Sequence, residues 1–233
     1  MATFRISYRF RLDHEIETFD LDLATDSLLH EPPDLDQWPE WARLDYHTCP
    51  DCPLSGSGAE RCPVAANLVP LLQKCNDLSS HQNCHVEVDT PQRRYSTQTT
   101  MQRGLSSLLG LVMATSDCPD MAFLRPMARF HLPFASDEET SYRAVSSYLL
   151  FQYFATKAGK EADLSLSGLR TIYQRLQVIN RAFAERLRAA CAEDAAVNAI
   201  VQLDLFAKDI PYSIDERLDD LEYLFQDFVG RLP

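Results

Sequence analysis

The stretch Phe4-Arg5-Ile6-Ser7-Tyr8-Arg9-Phe10-Arg11-Leu12 places an apolar side chain at every even position and a polar one at every odd position. A period of two is what a half-buried strand requires, because successive side chains point to opposite faces. After Asp13-His14 the alternation resumes from Glu15 to Leu23, with Phe19, Leu21 and Leu23 set against Asp20 and Asp22. The two runs predict an antiparallel hairpin whose outer face sets arginines opposite carboxylates. Exposed cross-strand pairs of this kind form a solvated face and point to no function.

Downstream, residues 30 to 40 carry three prolines and four acids and read as a loop, after which a third strand is expected from Trp41 to His47. Cys62-Pro63 opens a helix with Ala65, Leu68, Leu72 and Cys75 on one face. Val86 and Val88, then Tyr95, Thr97 and Thr99, flank the turn Asp89-Thr90-Pro91-Gln92 and predict a second hairpin.

From about Thr100 the apolar period changes to that of helices. Ser136 with Glu139 is a capping box for a helix carrying Tyr148, Leu149, Phe151 and Tyr153 and stopping near Gly159. A long amphipathic helix follows through Leu169, Ile172, Tyr173, Leu176, Ile179, Phe183, Leu187 and Cys191, then another over Ala195 to Lys208. Ser213 with Glu216 marks a last helix bearing Leu218, Leu221, Phe225 and Phe228 before Gly230. The fold class is therefore α+β: an N-terminal antiparallel sheet of about five strands with one helix, packed on a C-terminal helical bundle. The division falls between residues 1–99 and 100–233, or the two halves form one continuous domain.

The chain has 233 residues, with 22 Lys and Arg against 34 Asp and Glu, for a net charge of −12. That balance repels phosphate backbones and anionic headgroups, so nucleic acid and membrane are not expected partners. No run approaches the roughly 20 apolar residues of a membrane span, and the first residues lead straight into a strand, so a cytoplasmic location without a signal peptide is expected. Catalytic signatures are missing: there is no Walker loop, Gly-x-Gly-x-x-Gly, Gly-x-Ser-x-Gly or His-Glu-x-x-His. Ser55-Gly56-Ser57-Gly58 is a connector, since no lysine follows in phosphate-loop register, and the acidic pairs Glu138-Glu139 and Asp219-Asp220 suit helix surfaces and first turns. No residue is assigned a catalytic role.

The seven cysteines are an odd number in a chain large enough to hold a core, which favours thiols or a metal over a disulfide framework. Cys75, Cys84 and Cys191 fall inside apolar patterns and read as packing. Cys49, Cys52, Cys62 and Cys118 fall outside any period, and proline follows each one. The knuckle Cys49-Pro50-Asp51-Cys52 has a spacing that presents two thiolates to one tetrahedral ion. Cys62 at a helix start gains thiolate character from free amides there, and Cys118 supplies a fourth sulfur from the other half. These four residues are the expected ligands of a structural or regulatory metal joining the two halves, with zinc first and an iron-sulfur cluster as the alternative. His47 and His131 are reserve ligands, whereas Met121 and Met127 stand among aromatic residues and read as packing.

The competing chemistry is a thiol-disulfide oxidoreductase using Cys49 and Cys52. Those enzymes start a helix at the dithiol, whereas here Pro53 and the Ser-Gly connector follow. A third possibility is an interaction module whose helical half, with Arg170, Arg181 and Arg188, offers a protein partner a groove.

Asp117-Cys118-Pro119 and the run Phe123-Leu124-Arg125-Pro126-Met127-Ala128-Arg129-Phe130-His131-Leu132-Pro133-Phe134 lie in a segment, Leu108 to Ser136, that resembles a bacterial protein family of unknown function with further Cys-Pro motifs nearer its start. The resemblance covers most of the chain. It implies a bacterial cytoplasmic protein and brings no catalytic residue.

The charge balance makes a direct prediction: random duplex DNA at physiological salt should show no submicromolar binding by fluorescence anisotropy, because counterion release works against an acidic chain.

Overall fold

The computed structural model of the chain describes residues 2–12, 15–75, 79–190, 195–212 and 218–230. Four strands, β1 (Thr3–Arg11), β2 (Ile16–Ala24), β3 (Asn83–Asp89) and β4 (Arg94–Thr100), form one antiparallel sheet in the order β2-β1-β3-β4. Both hairpins are those the alternation predicts, and the register sets Arg5 opposite Asp22 and Arg9 opposite Glu87. On the outer face Arg5 donates to Asp22 at 2.8 and 2.6 Å, and Arg9 and Arg94 both pair with Asp89. Hydrogen bonding by Arg5 holds the Asp22 carboxyl below its usual range.

The inner face carries Ile6, Tyr8 and Phe10 from β1, Phe19, Leu21 and Leu23 from β2, and Cys84, Val86 and Val88 from β3, all buried. Helices α1 (Pro63–Cys75) and α2 (Met101–Ala114) pack on each other. Gly104 of α2 meets the sheet so closely that an added Cβ would lie 2.7 Å from Phe10 Cε1 and 3.0 Å from Val86 Cγ2. Cys84 is buried as expected, which pushes its thiol up to about 11. The side chain of Cys75 and all of Cys191 lie outside the described residues.

The expected strand from Trp41 to His47 does not form. A 3-10 turn spans Glu40–Ala42, and the carbonyls that a neighbouring strand would need are taken by other donors, as set out below. The sheet therefore has four strands. The switch of period near Thr100 is the passage from β4 to α2, after which come a 3-10 turn over Pro119–Leu124 and α3 (Arg125–Arg129).

The remaining helices are α4 (Asp137–Lys157), α5 (Ser167–Ala190), α6 (Ala195–Tyr212) and α7 (Gln226–Val229). The chain divides into two compact units, one of Met1–Phe134 with Val178–Asp204 and one of Ala135–Gln177 with Leu205–Pro233. To the first, α5 contributes the buried Ile179, Phe183 and Leu187. In the second, Ser136 and Glu139 close the predicted capping box, and Gly159 follows α4 with a left-handed φ of 77°. The last helix is shorter than expected: a 3-10 turn over Leu218–Leu224 precedes α7, while the second capping box, Ser213 with Glu216, falls outside the described residues. Leucines three apart at Leu218, Leu221 and Leu224 suit a helix of three residues per turn. Among the described residues no helix is long and apolar enough to cross a membrane.

The start of α5 is organised by one carboxylate. Asp163 accepts from the Tyr148 hydroxyl (2.8 Å), the Ser165 amide and hydroxyl (3.0 and 2.6 Å), the Ser167 hydroxyl (3.1 Å) and the Gly168 amide (2.8 Å). These donors, Ser165 first, hold it far below the carboxylate range. A group that binds its proton less tightly when folded contributes stability above its unfolded pKa of about 3.9, and that stability fades as pH falls. Asp163→Asn should lower the thermal midpoint at neutral pH and flatten its decline on acidification; a variant with the wild-type acid profile would contradict this role. Gly104→Ala should cost about 1–3 kcal/mol in denaturant unfolding, because Phe10 and Val86 are enclosed and must shift to admit a methyl group.

Candidate metal centre

The loop that holds the knuckle leaves and returns at one place. Arg43 bridges Arg61, the Leu44 amide donates to the Glu60 carbonyl at 2.9 Å, and the Cys62 amide donates to the Ala42 carbonyl at 3.0 Å. At its far end the Cys52 amide donates to the Cys49 carbonyl at 3.2 Å, with Pro50 second and Asp51 (φ 52°) third, the residue pattern of a type II turn. A further turn runs from Cys52 to Ser55. From Cys49 to Arg61 every residue except the half-buried Cys49, Cys52 and Leu54 is exposed.

Proline after cysteine has one structural meaning at the other two positions. Pro63 is the first residue of α1 and Pro119 the first of its 3-10 turn, so Cys62 and Cys118 each stand at the N-cap, where the following amides are free to face a side chain. The Ala65 and Val64 amides act on the Cys62 sulfur, and the Asp120 and Met121 amides on the Cys118 sulfur, each favouring the thiolate; at Cys118 neither closes a strict capping hydrogen bond.

The four sulfurs feel one another. Cys49 is pushed up to about 12 by burial first, and then by the charges of Cys62, Cys52 and Cys118. Burial raises Cys118 to about 11 and raises Cys62 as well, with Cys62 acting on Cys118 and Cys52 acting on Cys62. None of the five described cysteines is in a disulfide. As the side chains stand, no three His, Cys, Asp or Glu residues among those described are grouped to hold a metal ion.

Sequence reading missed Arg186. This α5 residue is only 1% exposed, and its guanidinium donates from Nη1 to the Trp41 carbonyl at 2.6 Å and the Arg43 carbonyl at 2.8 Å, the two carbonyls flanking the one that accepts from Cys62. Burial pulls its pKa down, while Cys62, Cys49, Tyr46 and Cys52 act to hold it charged. Its Nε has no hydrogen-bond partner among the described residues. The signal was present: Arg186 comes seven residues after Ile179 and three after Phe183, inside the apolar stripe of α5, where a charge needs a reason.

The reserve ligands lie apart from these effects. His131 Nε2 is 2.5 Å from the Tyr8 hydroxyl, and the His47 ring lies against Tyr46 with centroids 4.8 Å apart. Met121 is a core residue. A cleft of about 750 Å³ opens beside the loop, lined by Trp38, Arg43, Asp45, Thr48 and Arg61 among others, and none of the four cysteines lines it.

No curated protein and no solved structure matches this chain. A family match spans nearly its whole length, from β1 to the start of α7, and includes all four Cys-Pro pairs and Arg186. By that match, over residues 5–226, the chain belongs to the family described as a domain of unknown function (DUF6901).

Proposed function

We propose that this is a metal-binding protein in which Cys49, Cys52, Cys62 and Cys118 together hold one zinc ion as a structural or regulatory centre. The observation that supports this reading is the placement of four cysteines in one compact unit, each followed by proline: Cys49 and Cys52 close one turn of the knuckle, and Cys62 and Cys118 stand at the heads of α1 and the 3-10 turn after α2. Four thiolates suit zinc in closed tetrahedral coordination, with each sulfur about 2.3 Å from the metal. Reaching that distance would require the four thiol side chains to converge further than they do in this structure. Cys49, Cys52, Cys62 and Cys118 would hold the ion as thiolates, and the amides facing Cys62 and Cys118 would donate hydrogen bonds to those sulfurs.

The dithiol enzyme is the weaker reading for a physical reason. A reactive cysteine needs a depressed pKa, whereas burial drives Cys49 upward, and Cys52 leads into a second turn instead of a helix.

Elemental analysis of anaerobically purified full-length protein should find zinc at one ion per chain in a colourless solution. Cys49→Ser, Cys52→Ser, Cys62→Ser and Cys118→Ser should each lower metal content and the thermal midpoint, whereas Cys84→Ala should keep the metal. An intense visible spectrum with bound iron would assign a cluster instead of zinc. Metal-free protein that reduces insulin disulfides, and loses that activity on Cys49→Ser but not on Cys118→Ser, would overturn the metal reading.

A further inference from the structure

Arg186 is a buried charge with no carboxylate partner among the described residues. Arginine is almost never fully buried unless it is paired, because a desolvated guanidinium is costly without an anion. Among the described residues its hydrogen bonds go to neutral carbonyls, those of Trp41 and Arg43. The rings of Phe183 and Tyr46, 5.4 and 5.9 Å from its central carbon, offer only weak electrostatic compensation. Among the described residues no carboxylate lies within ion-pair distance. Asp45 feels its charge but is exposed and bound through both oxygens to the Arg43 side chain.

Among the described residues, Cys62 and Cys49 are the first of the ionisable groups that act to hold Arg186 charged. The segment that receives its two bonds also receives the Cys62 amide at Ala42, so the guanidinium and the N-cap of α1 are fixed to the same three residues. A zinc ion held by four thiolates carries a double negative charge, and such centres are ordinarily tuned by donors bonded to their sulfurs. An unsatisfied Nε–H on a side chain 1% exposed is a donor of that kind.

We propose that Arg186 is the counter-ion of the four-thiolate centre and donates its free Nε–H to a metal-bound cysteine sulfur, so that it positions and charge-balances the complex without being a ligand. This rests on the metal reading above. The same residue thus serves two purposes: its Nη1 fixes the base of the knuckle loop through Trp41 and Arg43, and its Nε and charge stabilise the loaded centre. Without an anion beside it the guanidinium is an electrostatic burden, so metal uptake relieves the protein of an unpaired charge as well as joining the loop to α1.

The test compares full-length wild type with Arg186→Met, which removes the charge and all donors, and Arg186→Lys, which keeps a charge but has no Nε–H. Zinc affinity is read by competition with a chromophoric chelator, thermal midpoints are read with and without metal, and the sulfur-to-metal charge-transfer band is read on cobalt-loaded protein. Arg186→Met should bind zinc about 10–100-fold more weakly, the range typical of losing a donor to a ligand. Arg186→Lys should recover most of that affinity while its cobalt band moves to longer wavelength, because a sulfur relieved of a hydrogen bond gives up its electron more easily. If Arg186 only props up the Trp41–Arg43 segment, Arg186→Met lowers both midpoints equally and leaves affinity unchanged, which overturns the inference while the metal reading stands. If Arg186→Met does not fold, Arg186→Gln, which removes the charge while keeping a polar side chain, decides in its place, since an unchanged zinc affinity with an unmoved cobalt band overturns the inference. Wild-type protein that takes up neither zinc nor cobalt overturns the metal reading and this inference with it.

Discussion

Three successive carbonyls are claimed from two directions, those of Trp41 and Arg43 by Arg186 and that of Ala42 by the Cys62 amide. Buried backbone groups must find partners, so what these carbonyls accept decides what the segment becomes. With a guanidinium on one side and a helix N-terminus on the other, the segment cannot pair with β2 or β4, and the sheet stops at four strands. The same bonds set where the knuckle loop begins and ends and where the first residue of α1 stands. Cys62 is at the N-cap because its own amide is held by Ala42, and its sulfur faces the Val64 and Ala65 amides for that reason.

The placement of charge separates this region from the rest of the first unit. On the outer face of the sheet Arg5, Arg9, Arg11 and Arg94 each have a carboxylate within 3.4 Å, yet most of these groups are substantially exposed. Solvent and salt screen such pairs, and each contributes at most about 1 kcal/mol. Their effect is to keep the sheet register consistent with the apolar pattern of the inner face, which supplies most of the stabilisation. Arg186 reverses the arrangement, being fully enclosed with only carbonyls as acceptors. An exposed ion pair has water to share its charge, whereas an interior guanidinium bonded, among the described residues, only to carbonyls keeps most of its desolvation cost.

Much of the architecture was legible because it depends on short-range periodicity. The alternation in β1 and β2, the turn at Asp89-Thr90-Pro91-Gln92 and the Ser136 capping box each encode their structure within a few residues. So does Cys62-Pro63, since proline is tolerated at a first helical position, and this marked the head of α1; the 3-10 turn that Pro119 opens in the same way was not anticipated. The Trp41–His47 segment was not legible because its conformation is fixed by a guanidinium more than a hundred residues away, which no local pattern reveals. The final helix failed differently: leucines at a spacing of three satisfy a 3-10 turn as well as an α-helix, and composition alone does not choose between them. The buried cation of α5 was not legible, because Arg186 is hidden in a stripe read by its apolar residues.

The knuckle loop shows why a metal would belong there. Between Cys49 and Arg61 only Leu54 contributes appreciable apolar burial besides the two sulfurs, and the internal bonds are turns that span three residues. A segment with so few buried contacts opens at little cost in free energy and cannot define its own conformation. On the proposed reading, one ion replaces the missing core by joining the loop tip, the head of α1 and the strand-like residue that precedes the 3-10 turn after α2. Closure entropy grows only with the logarithm of the enclosed length, so reaching Cys118 costs little more than reaching Cys62 and links two further elements of the same unit. Proline after each sulfur reduces that cost again, because a ring that fixes φ leaves the unfolded chain fewer conformations to lose. The four Cys-Pro pairs are then intelligible as one device, in which each proline sets the turn or helix that aims its sulfur and lowers the entropy of assembling four distant ligands.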